Sequence, residues 1–307
     1  MHLENKLLIS SINVCGLRRK LLYPEFTDFI QTFDIIGLQE TKTDSLDQLQ
    51  LDGYSLYFKH RSNSARRSGG IGVAIKDDLV DCVDLLKCDC DFVLWLKVDK
   101  VTLNIDNDLF IGIVYIPPEG SRFYKNDMFS KIEESILNMY CNSEHIMLIG
   151  DFNARTGILN DMCSLDEYIL SENGFDELFP TECNPENVLD SLNLPHARVS
   201  KDHKVNNNGT KLIDLCQQLN LIICNGRLGA DKPIGNTTCK DKSVIDYCIA
   251  STTCLPYIEN FEILDFSALL SDVHCPIKIS LHAPNRVRIN TLNAQQMNTN
   301  NSEKSPL

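Results

Sequence analysis

The stretch Ile146-Met147-Leu148-Ile149-Gly150-Asp151-Phe152-Asn153 joins an apolar run directly to a carboxylate and a carboxamide. A short apolar run that ends at turn-forming residues is typical of a buried strand. In extended backbone, residues i and i+2 point the same way, so Asp151 and Asn153 are expected side by side where this strand ends. Such a pair can hold and deprotonate a water molecule, whereas an Asx turn that closes the strand is the structural alternative.

Similar short runs along the chain predict the rest of the sheet structure. Nine further strands are predicted, at residues 7–12, 35–39, 70–75, 92–98, 109–116, 221–224, 244–250, 261–264 and 276–281. Apolar residues at helical spacing predict helices over residues 24–33, 127–140 and 210–219. Because the strands do not alternate strictly with helices, the pattern favours a mixed-sheet α/β fold over a barrel or a Rossmann fold.

The chain is predicted to form one domain, residues 1–283, with two atypical segments. Residues 156–205 carry ten carboxylates against three basic residues, and we interpret this segment as an acidic insertion across one face. Residues 284–307 are rich in asparagine and nearly free of apolar side chains. Such a composition cannot bury a core, so a disordered tail is expected there.

Composition and charge exclude several classes of protein. Apolar residues make up 43% of the chain, which argues against general disorder. No apolar stretch reaches the roughly 18 residues that a membrane span needs, so no membrane association is expected. The N-terminus lacks a signal-peptide pattern, and the thirteen cysteines form no paired CxxC sets. We therefore expect an intracellular protein, nuclear or cytoplasmic, whose cysteines are reduced and mostly buried.

The net charge limits how this chain could bind nucleic acid. The formal charge of −13 is unfavourable for binding by bulk electrostatics, for which a basic surface is the usual sign. It suits a site in which carboxylates surround a divalent cation, because the metal then supplies the positive charge.

More polar residues stand at or near the ends of predicted strands. Glu40 closes the run over residues 34–39 and could bind Mg²⁺, which prefers oxygen ligands, although capping the next turn is the alternative. Asn13 follows the first strand, and by itself it is typical of a turn. Tyr115 ends the fifth strand and could direct its hydroxyl to the same edge. Each of these signals is weak when taken alone.

Two segments near the C-terminus add acid–base groups. In Ser271-Asp272-Val273-His274, the histidine could stabilise or protonate a phosphoryl oxygen, and Asp272 could bind a metal. Asp246 lies inside an apolar strand, where a buried carboxylate needs a partner. His274 is one candidate for that partner, and the backbone is the other.

One basic loop interrupts the acidic sequence. It contains Lys59, His60, Arg61, Arg66 and Arg67. Such a cluster could bind a phosphate backbone, or it could be a solvated loop.

Taken in order, these elements resemble the motifs of the endonuclease/exonuclease/phosphatase superfamily. The motifs that match are Asn13, Gln39-Glu40, Tyr115, Gly150-Asp151-Phe152-Asn153, Asp246-Tyr247 and Ser271-Asp272-Val273-His274. Four longer phrases are similar to the endonuclease domain of non-LTR (LINE-type) retrotransposons, namely residues 12–17, 68–71, 150–157 and 225–228.

The resemblance implies a fold, a reaction and a role for each matching residue. It implies a four-layer α/β sandwich of two packed mixed β-sheets flanked by helices, and phosphodiester hydrolysis with Mg²⁺ or Mn²⁺. Glu40 would be the principal metal ligand, with Asn13 and Asp272 beside it. Asp151, helped by Asn153, would position and deprotonate the attacking water. His274, supported by Asp246, would stabilise the charge that develops on phosphorus. Tyr115 would contact the phosphate.

One departure from the family pattern leaves the activity open at this stage. Val273 separates Asp272 from His274, which are adjacent in the family motif, and an extra residue in a strand reverses the direction of the next side chain. Either a bulge in a loop absorbs the extra residue, or activity is impaired.

The main hypothesis is a metal-dependent endonuclease that nicks duplex DNA. It places Arg66, Arg67 and Arg155 beside the carboxylates to bind substrate, and nothing in the sequence indicates an obligate protein partner. One alternative is a phosphodiesterase or phosphatase that acts on RNA or small phosphate esters. The other is a catalytically impaired retroelement remnant or binding module.

Overall fold

The computed structural model describes residues 5–61, 67–162 and 184–285. These residues form two six-stranded sheets. The first sheet has the spatial order β11 (Ile258–Ile263), β12 (Ile277–His282), β1 (Lys6–Asn13), β2 (Ile35–Gln39), β4 (Ile71–Lys76) and β3 (Tyr54–Lys59). The second has the order β5 (Val83–Leu86), β6 (Val93–Val98), β7 (Leu109–Tyr115), β8 (Ile146–Asp151), β10 (Asp246–Ser251) and β9 (Leu221–Ile223).

Each sheet is mixed, with one parallel pair at its centre. β1 runs parallel to β2, and β7 runs parallel to β8, while the other neighbours are antiparallel. The inner faces of the sheets pack together through apolar side chains such as Ile9, Val73, Ile111 and Ile149. Gly37 lies in this interface, where an added Cβ would come within 2.8 Å of Ile113, so the close approach of the sheets requires glycine there.

Helices cover the outer faces of both sheets. The described helices are α1 (Leu17–Lys20), α2 (Pro24–Gln31), α3 (Lys100–Leu103), α4 (Met128–Tyr140), α5 (Pro185–Ser191) and α6 (Asn207–Gln218). α2 packs on the first sheet through Phe26 and Ile30. α4 and α6 pack on the second sheet in a cluster that includes Ile132, Leu212 and Trp95. Four layers result, and the predicted α/β sandwich of two mixed sheets flanked by helices is confirmed.

The ten predicted strands and three predicted helices are all present, with shifted ends. The pattern missed β3 and β5 because β3 is only half-buried along most of its length and β5 is a short edge strand with one buried residue. It also missed α1, α3 and α5, which are too short to show helical periodicity. None of the helices in the described residues has the length and apolar character that crossing a bilayer requires. The cysteines in the same residues are free thiols, and most of them are buried.

The start of the predicted insertion is fastened to the core by a buried ion pair. Asp161 accepts two hydrogen bonds from the guanidinium of Arg227, at 2.7 and 2.8 Å, and both side chains are about 1% exposed. Burial acts to raise the pKa of Asp161, but the bonds and charge of Arg227 outweigh it and lower the pKa. The middle of the insertion, residues 163–183, and most of the predicted tail, residues 286–307, lie outside the described residues.

Breaking this ion pair should destabilise the protein strongly. Asp161→Ala leaves the Arg227 guanidinium buried without a counter-charge, so we expect the free energy of unfolding to fall by about 3–5 kcal/mol. Urea denaturation at neutral pH measures this change. Asp84→Ala is the control because it removes a surface partner of Lys97, and such pairs contribute less than about 1 kcal/mol. Equal losses in the two variants would contradict the assigned role.

Candidate active site

The parallel strand pairs bring the predicted polar residues to one edge of the sandwich. Asn13 ends β1 opposite Gln39 on β2, so Glu40 follows at the same edge of the first sheet. Tyr115 and Asp151 end β7 and β8 as register partners in the second sheet. β10 begins at this edge because it runs antiparallel to β8, and its first residue, Asp246, lies opposite Asp151. Strand ends in both sheets therefore contribute to one site.

Two hydrogen bonds join the sheets at this edge. The Asn13 carboxamide donates to Asp151 Oδ2 over 2.8 Å. The Tyr115 hydroxyl donates to Glu40 Oε1 over 3.0 Å. Each bond pairs a residue of the first sheet with a residue of the second, so the packing of the sheets sets the geometry of the site.

Asp151 is a buried carboxylate with fixed neighbours. Its side chain is 1% exposed, and Oδ1 accepts the backbone N–H of Asn153 over 2.9 Å. This bond is the Asx turn that the sequence offered as the structural alternative. Asn153 has a φ of 46°, a region that asparagine tolerates, and its amide donates to the Ile116 carbonyl. Both side chains are therefore held in place.

The surroundings of Asp151 favour its protonated form more than water does. Burial, followed by the negative charge of Asp246, raises the pKa of Asp151 to about 7, although His274 and Asn13 act in the opposite direction. A carboxylate with a pKa near neutrality is suited to proton transfer at physiological pH.

His274 is held between two carboxylates. Its Nδ1 lies 2.9 and 3.1 Å from the Asp246 oxygens, and its Nε2 lies 3.9 Å from Asp151 Oδ2. Burial acts to lower the pKa of His274, but the charge and hydrogen bond of Asp246 outweigh it and raise the pKa to about 9. The imidazole is therefore a cation at neutral pH.

The extra residue Val273 is accommodated in the turn before β12. Ser271 Oγ accepts the backbone N–H groups of Val273 and His274, and it donates to the Asn13 carbonyl over 2.6 Å. This turn closes before the final strand begins at Ile277, so the extra residue does not shift the strand register. His274 reaches Asp246 despite the insertion.

A protein-family model decides the classification. The model of the Endonuclease/Exonuclease/phosphatase family matches residues 10–255. The chain belongs to this family. The match confirms the resemblance drawn from the motifs, and enzymes of the family generally depend on divalent metal ions.

Several solved structures share the family fold at low sequence identity. The 3′-5′ exonuclease NExo from Neisseria meningitidis is 15% identical with a TM-score of 0.57, covering 90% of this chain and 99% of that chain. The endonuclease domain of TRAS1, a telomere-specific non-LTR retrotransposon, is 12% identical with a TM-score of 0.56, and the coverage is 91% and 99%. The AP endonuclease LMAP from Leishmania major is 14% identical with a TM-score of 0.61, and the coverage is 91% and 89%. No curated protein matches the chain significantly.

Asp272 occupies a different place from the one that the family motif implies. Its side chain is 66% exposed and lies 3.3 Å from the Lys20 ammonium, and it is not part of the cluster that Asp151, Asp246 and His274 form. The difference arises because Ser271 and His274 are both held by the turn, so the residues between them point outward. The Asp272 carboxylate is therefore paired with the Lys20 ammonium in this structure.

The arginines predicted to bind substrate are also placed differently. Arg155 forms a two-point hydrogen-bonded pair with Asp202, at 2.8 and 2.5 Å, and Asp202 is nearly fully buried. This pair ties Arg155 to the protein, so the structure does not direct it to the site. Arg67 pairs with Asp44 and Asp47, and it lines a cavity of about 480 Å³ beside Lys42. Arg66 lies outside the described residues.

The donor atoms at this edge fit a hard divalent cation. Glu40 and Asn13 supply carboxylate and carboxamide oxygens at adjacent strand ends, and Mg²⁺ and Mn²⁺ prefer oxygen ligands. The Lys42 ammonium lies 3.2 Å from Glu40 Oε2, so the structure itself keeps a positive charge beside this carboxylate. Ligand atoms of Asp151, Asp246 and His274 lie within 4.8 Å of one another, so a second, buried group of possible ligands lies beside Asn13.

Three positioning residues were not assigned from the sequence. Ser271 forms the turn that precedes His274, as described above. Thr238 Oγ1 accepts the backbone N–H of Asp246 over 3.0 Å. Asn225 donates to the Asp246 carbonyl and accepts the Cys248 N–H, so it holds the start of β10. Asn225 could have been identified from the sequence, because it follows an apolar strand just as Asn13 does.

Proposed function

We propose that this protein is a metal-dependent phosphodiesterase, specifically an endonuclease of the retrotransposon type that nicks duplex DNA. The proposal is supported by the position of Glu40, Asp151 and His274 at one edge, where Tyr115 is bonded to Glu40 and His274 lies 3.9 Å from Asp151. These residues supply an oxygen ligand for a cation, a base and a fixed positive charge. Phosphoryl transfer needs mainly positioning and neutralisation of charge, which these groups can provide.

Asp151 is proposed as the group that holds and deprotonates the attacking water. Asn13 and the backbone of Asn153 each donate a hydrogen bond to one of its oxygens, which fixes the carboxylate plane. The remaining lone pairs can accept a proton from water. A pKa of about 7 allows this carboxylate to be ionised in a useful fraction of molecules at neutral pH.

His274 and Tyr115 are proposed to contact the phosphate oxygens. His274 is a cation whose ring is oriented by Asp246, so it can stabilise negative charge that develops on phosphorus. Burial and the neighbouring carboxylates of Glu40 and Asp151 raise the pKa of Tyr115 far above its usual value. Its hydroxyl therefore stays protonated, and its one proton can be donated to Glu40 or, after rotation of the O–H bond, to a phosphate oxygen.

Mg²⁺ or Mn²⁺ is proposed as the cofactor, held by Glu40 with Asn13 beside it. When bound, the ion would act as a Lewis acid that neutralises charge on the phosphate. The ligands proposed here omit Asp272, which its pairing with Lys20 keeps at the surface.

The choice of DNA as substrate is supported by the similar structures. One of them is NExo bound to a product DNA hairpin, and another is the endonuclease domain of a non-LTR retrotransposon. Hydrolysis of RNA or of small phosphate esters is the alternative reaction. A remnant without activity is disfavoured because Asn13, Asp151, Asp246 and His274 all keep their mutual contacts.

A plasmid-nicking assay tests the metal requirement and the substrate together. Purified protein should convert supercoiled plasmid to the open circle in Mg²⁺ or Mn²⁺, and EDTA should abolish the conversion until excess Mg²⁺ restores it. Parallel reactions with RNA and p-nitrophenyl phosphate distinguish the alternative substrates. Protein purified identically with Asp151→Asn controls for contaminating nucleases. Conversion that persists in EDTA, or no conversion with either ion, would overturn the proposal.

A further inference from the structure

A cavity of about 270 Å³ adjoins the candidate active site on the side of Tyr115. We call it the basic cleft, and it is defined by Lys59, Arg61, Tyr115, Arg122, Phe123 and Lys125. Asp91 is the one carboxylate among the described residues that line it. The cleft therefore concentrates four positive charges in a chain whose net charge is −13.

The cations of the basic cleft differ in their ion pairs from the other cations near the site. Lys42, Arg67 and Arg155 each form an ion pair with a carboxylate. Within residues 5–61, 67–162 and 184–285, no carboxylate lies within 4 Å of Arg61, Arg122 or Lys125, and Asp127, which acts on Lys125 from farther away, forms its ion pair with Lys131. Grouping like charges without partners is unfavourable unless an anion binds between them. This arrangement indicates an anion site.

Two of these cations are held by an aromatic ring. Arg61 Cζ lies 4.3 Å from the centroid of Phe123, and Arg122 Cζ lies 4.6 Å from the same centroid. Stacking on a ring orients a guanidinium while its N–H groups remain able to bind an oxyanion at two points. Gly69, with a φ of 62°, leaves the space that Arg61 fills, since an added Cβ would clash with the guanidinium.

Lys59 is fixed at the base of the cleft. Its ammonium donates to the carbonyls of Cys88, Cys90 and Val93 over 2.5 to 3.0 Å. All three of its protons are therefore used within the protein. Its charge still acts on the cleft, while Arg61, Arg122 and Lys125 supply the available donors.

Tyr115 connects the basic cleft to the proposed chemistry. Its ring lies 5.6 Å from Arg61 Cζ, and its hydroxyl binds Glu40. A substrate with a single phosphate at Glu40 and Asp151 would leave the cleft empty. A polynucleotide strand carries further phosphates on either side of the scissile one, and one of these could occupy the cleft.

We propose that the basic cleft binds a phosphate that is not cleaved, on the same strand as the scissile phosphate. The inference rests on the proposed function and narrows it, because it assigns the enzyme a polynucleotide substrate rather than a phosphomonoester or a small diester. Arg61 and Arg122 bind this phosphate through their guanidinium edges, and Lys125 adds charge.

Arg122→Ala and Lys125→Ala test this inference, since both side chains are exposed and neither is bonded to Tyr115 or Glu40. Each variant should lower kcat/KM for a duplex oligonucleotide by about 10- to 100-fold, as expected for a charged hydrogen bond. Neither should change kcat/KM for bis(p-nitrophenyl) phosphate, which has only one phosphate. Lys100→Ala is the matched control because it removes a charge at the opposite end of the second sheet.

Binding measured in EDTA provides a readout that does not depend on catalysis. Anisotropy of a labelled duplex should show weaker binding for Arg122→Ala than for the wild type. A plot of the logarithm of the binding constant against the logarithm of the salt concentration should also have a slope smaller by about 0.9 per lost phosphate contact. Replacing single phosphates of the duplex by uncharged methylphosphonate should weaken binding to the wild type most at one position. The same replacement should not weaken binding to Arg122→Ala any further, because that contact is already absent.

The outcomes separate this inference from the proposed function. A wild type that binds the duplex through Arg122 but cleaves no substrate would overturn the proposed function alone. Unchanged oligonucleotide cleavage, duplex affinity and salt slope in both variants would overturn the role of the basic cleft. Equal losses on the oligonucleotide and on bis(p-nitrophenyl) phosphate would also overturn it, because the effect would then lie at the scissile phosphate.

Discussion

Replacing Asp151 with asparagine is expected to lower kcat for DNA cleavage by about 10²–10⁴-fold, the range typical of a general base. The amide keeps the size of the side chain and an oxygen that can accept the Asn153 N–H, but it cannot take a proton from water. KM should change much less than kcat, because the phosphate contacts remain. Single-turnover cleavage of a duplex oligonucleotide in Mg²⁺ measures the effect on the chemical step.

The fold should survive this exchange. The raised pKa of Asp151 means that the folded state holds its proton more tightly than the unfolded chain does. Ionisation of this group therefore lowers stability as the pH rises from about 4, the unfolded value, to about 7. Asp151→Asn removes that cost but loses the hydrogen bond from Asn13, because an amide nitrogen cannot accept it, so the melting temperature at pH 8 should change by only a few degrees.

A matched exchange shows whether the effect is local. Asp108→Asn makes the same substitution at the opposite end of the second sheet, where Asp108 accepts the Lys100 N–H. It should leave cleavage unchanged. Cleavage by Asp151→Asn at the wild-type rate would remove the base from the proposed mechanism.

Replacing His274 with alanine is expected to lower kcat by about 10²–10³-fold at pH 7, which is typical for loss of one preorganised donor to a developing negative charge. The imidazole is nearly buried and carries a positive charge at this pH. Alanine supplies neither charge nor donor, while Asp151 and Glu40 keep their bonds to Asn13 and Tyr115. Single-turnover rates between pH 6 and 9.5 measure the loss.

Asp246→Asn serves as the positioning control for His274, because Asp246 bonds to the imidazole and not to the proposed substrate. In the wild type, His274 stays protonated up to a pH of about 9. Without the Asp246 charge its pKa falls, so the alkaline limb of the pH–rate profile should move to lower pH. A loss of rate that is uniform across the pH range would indicate a structural role only.

Much of the fold could be predicted because the signals are local. The strands that form the sandwich core carry continuous apolar runs, and each run is recognisable without knowledge of its neighbours. β3 and β5 could not be predicted in this way because they lie at sheet edges, where partial exposure weakens the pattern. The missed helices are one or two turns long, so packing rather than periodicity sustains them.

The candidate site could be predicted where its residues end strands. Asn13, Glu40, Tyr115 and Asp151 lie at or next to the ends of parallel neighbours, whose common edge follows from the strand pairing. The basic cleft could not be predicted as a unit. Phe123 and Arg122 come from a loop after β7, and nothing local indicates that Arg61 stacks on that ring.

The amino-acid sequence by itself determined the strands, the acids and amides at their ends, and the family to which the chain belongs. Only the tertiary structure decided which charged side chains meet. It paired Asp272 with Lys20 and Arg155 with Asp202. It also placed Arg61 beside Tyr115 and stacked Arg61 and Arg122 on Phe123. The reason is physical: backbone pairing places the end of a strand, whereas a loop side chain goes to whichever opposite charge or ring the folded chain brings near it.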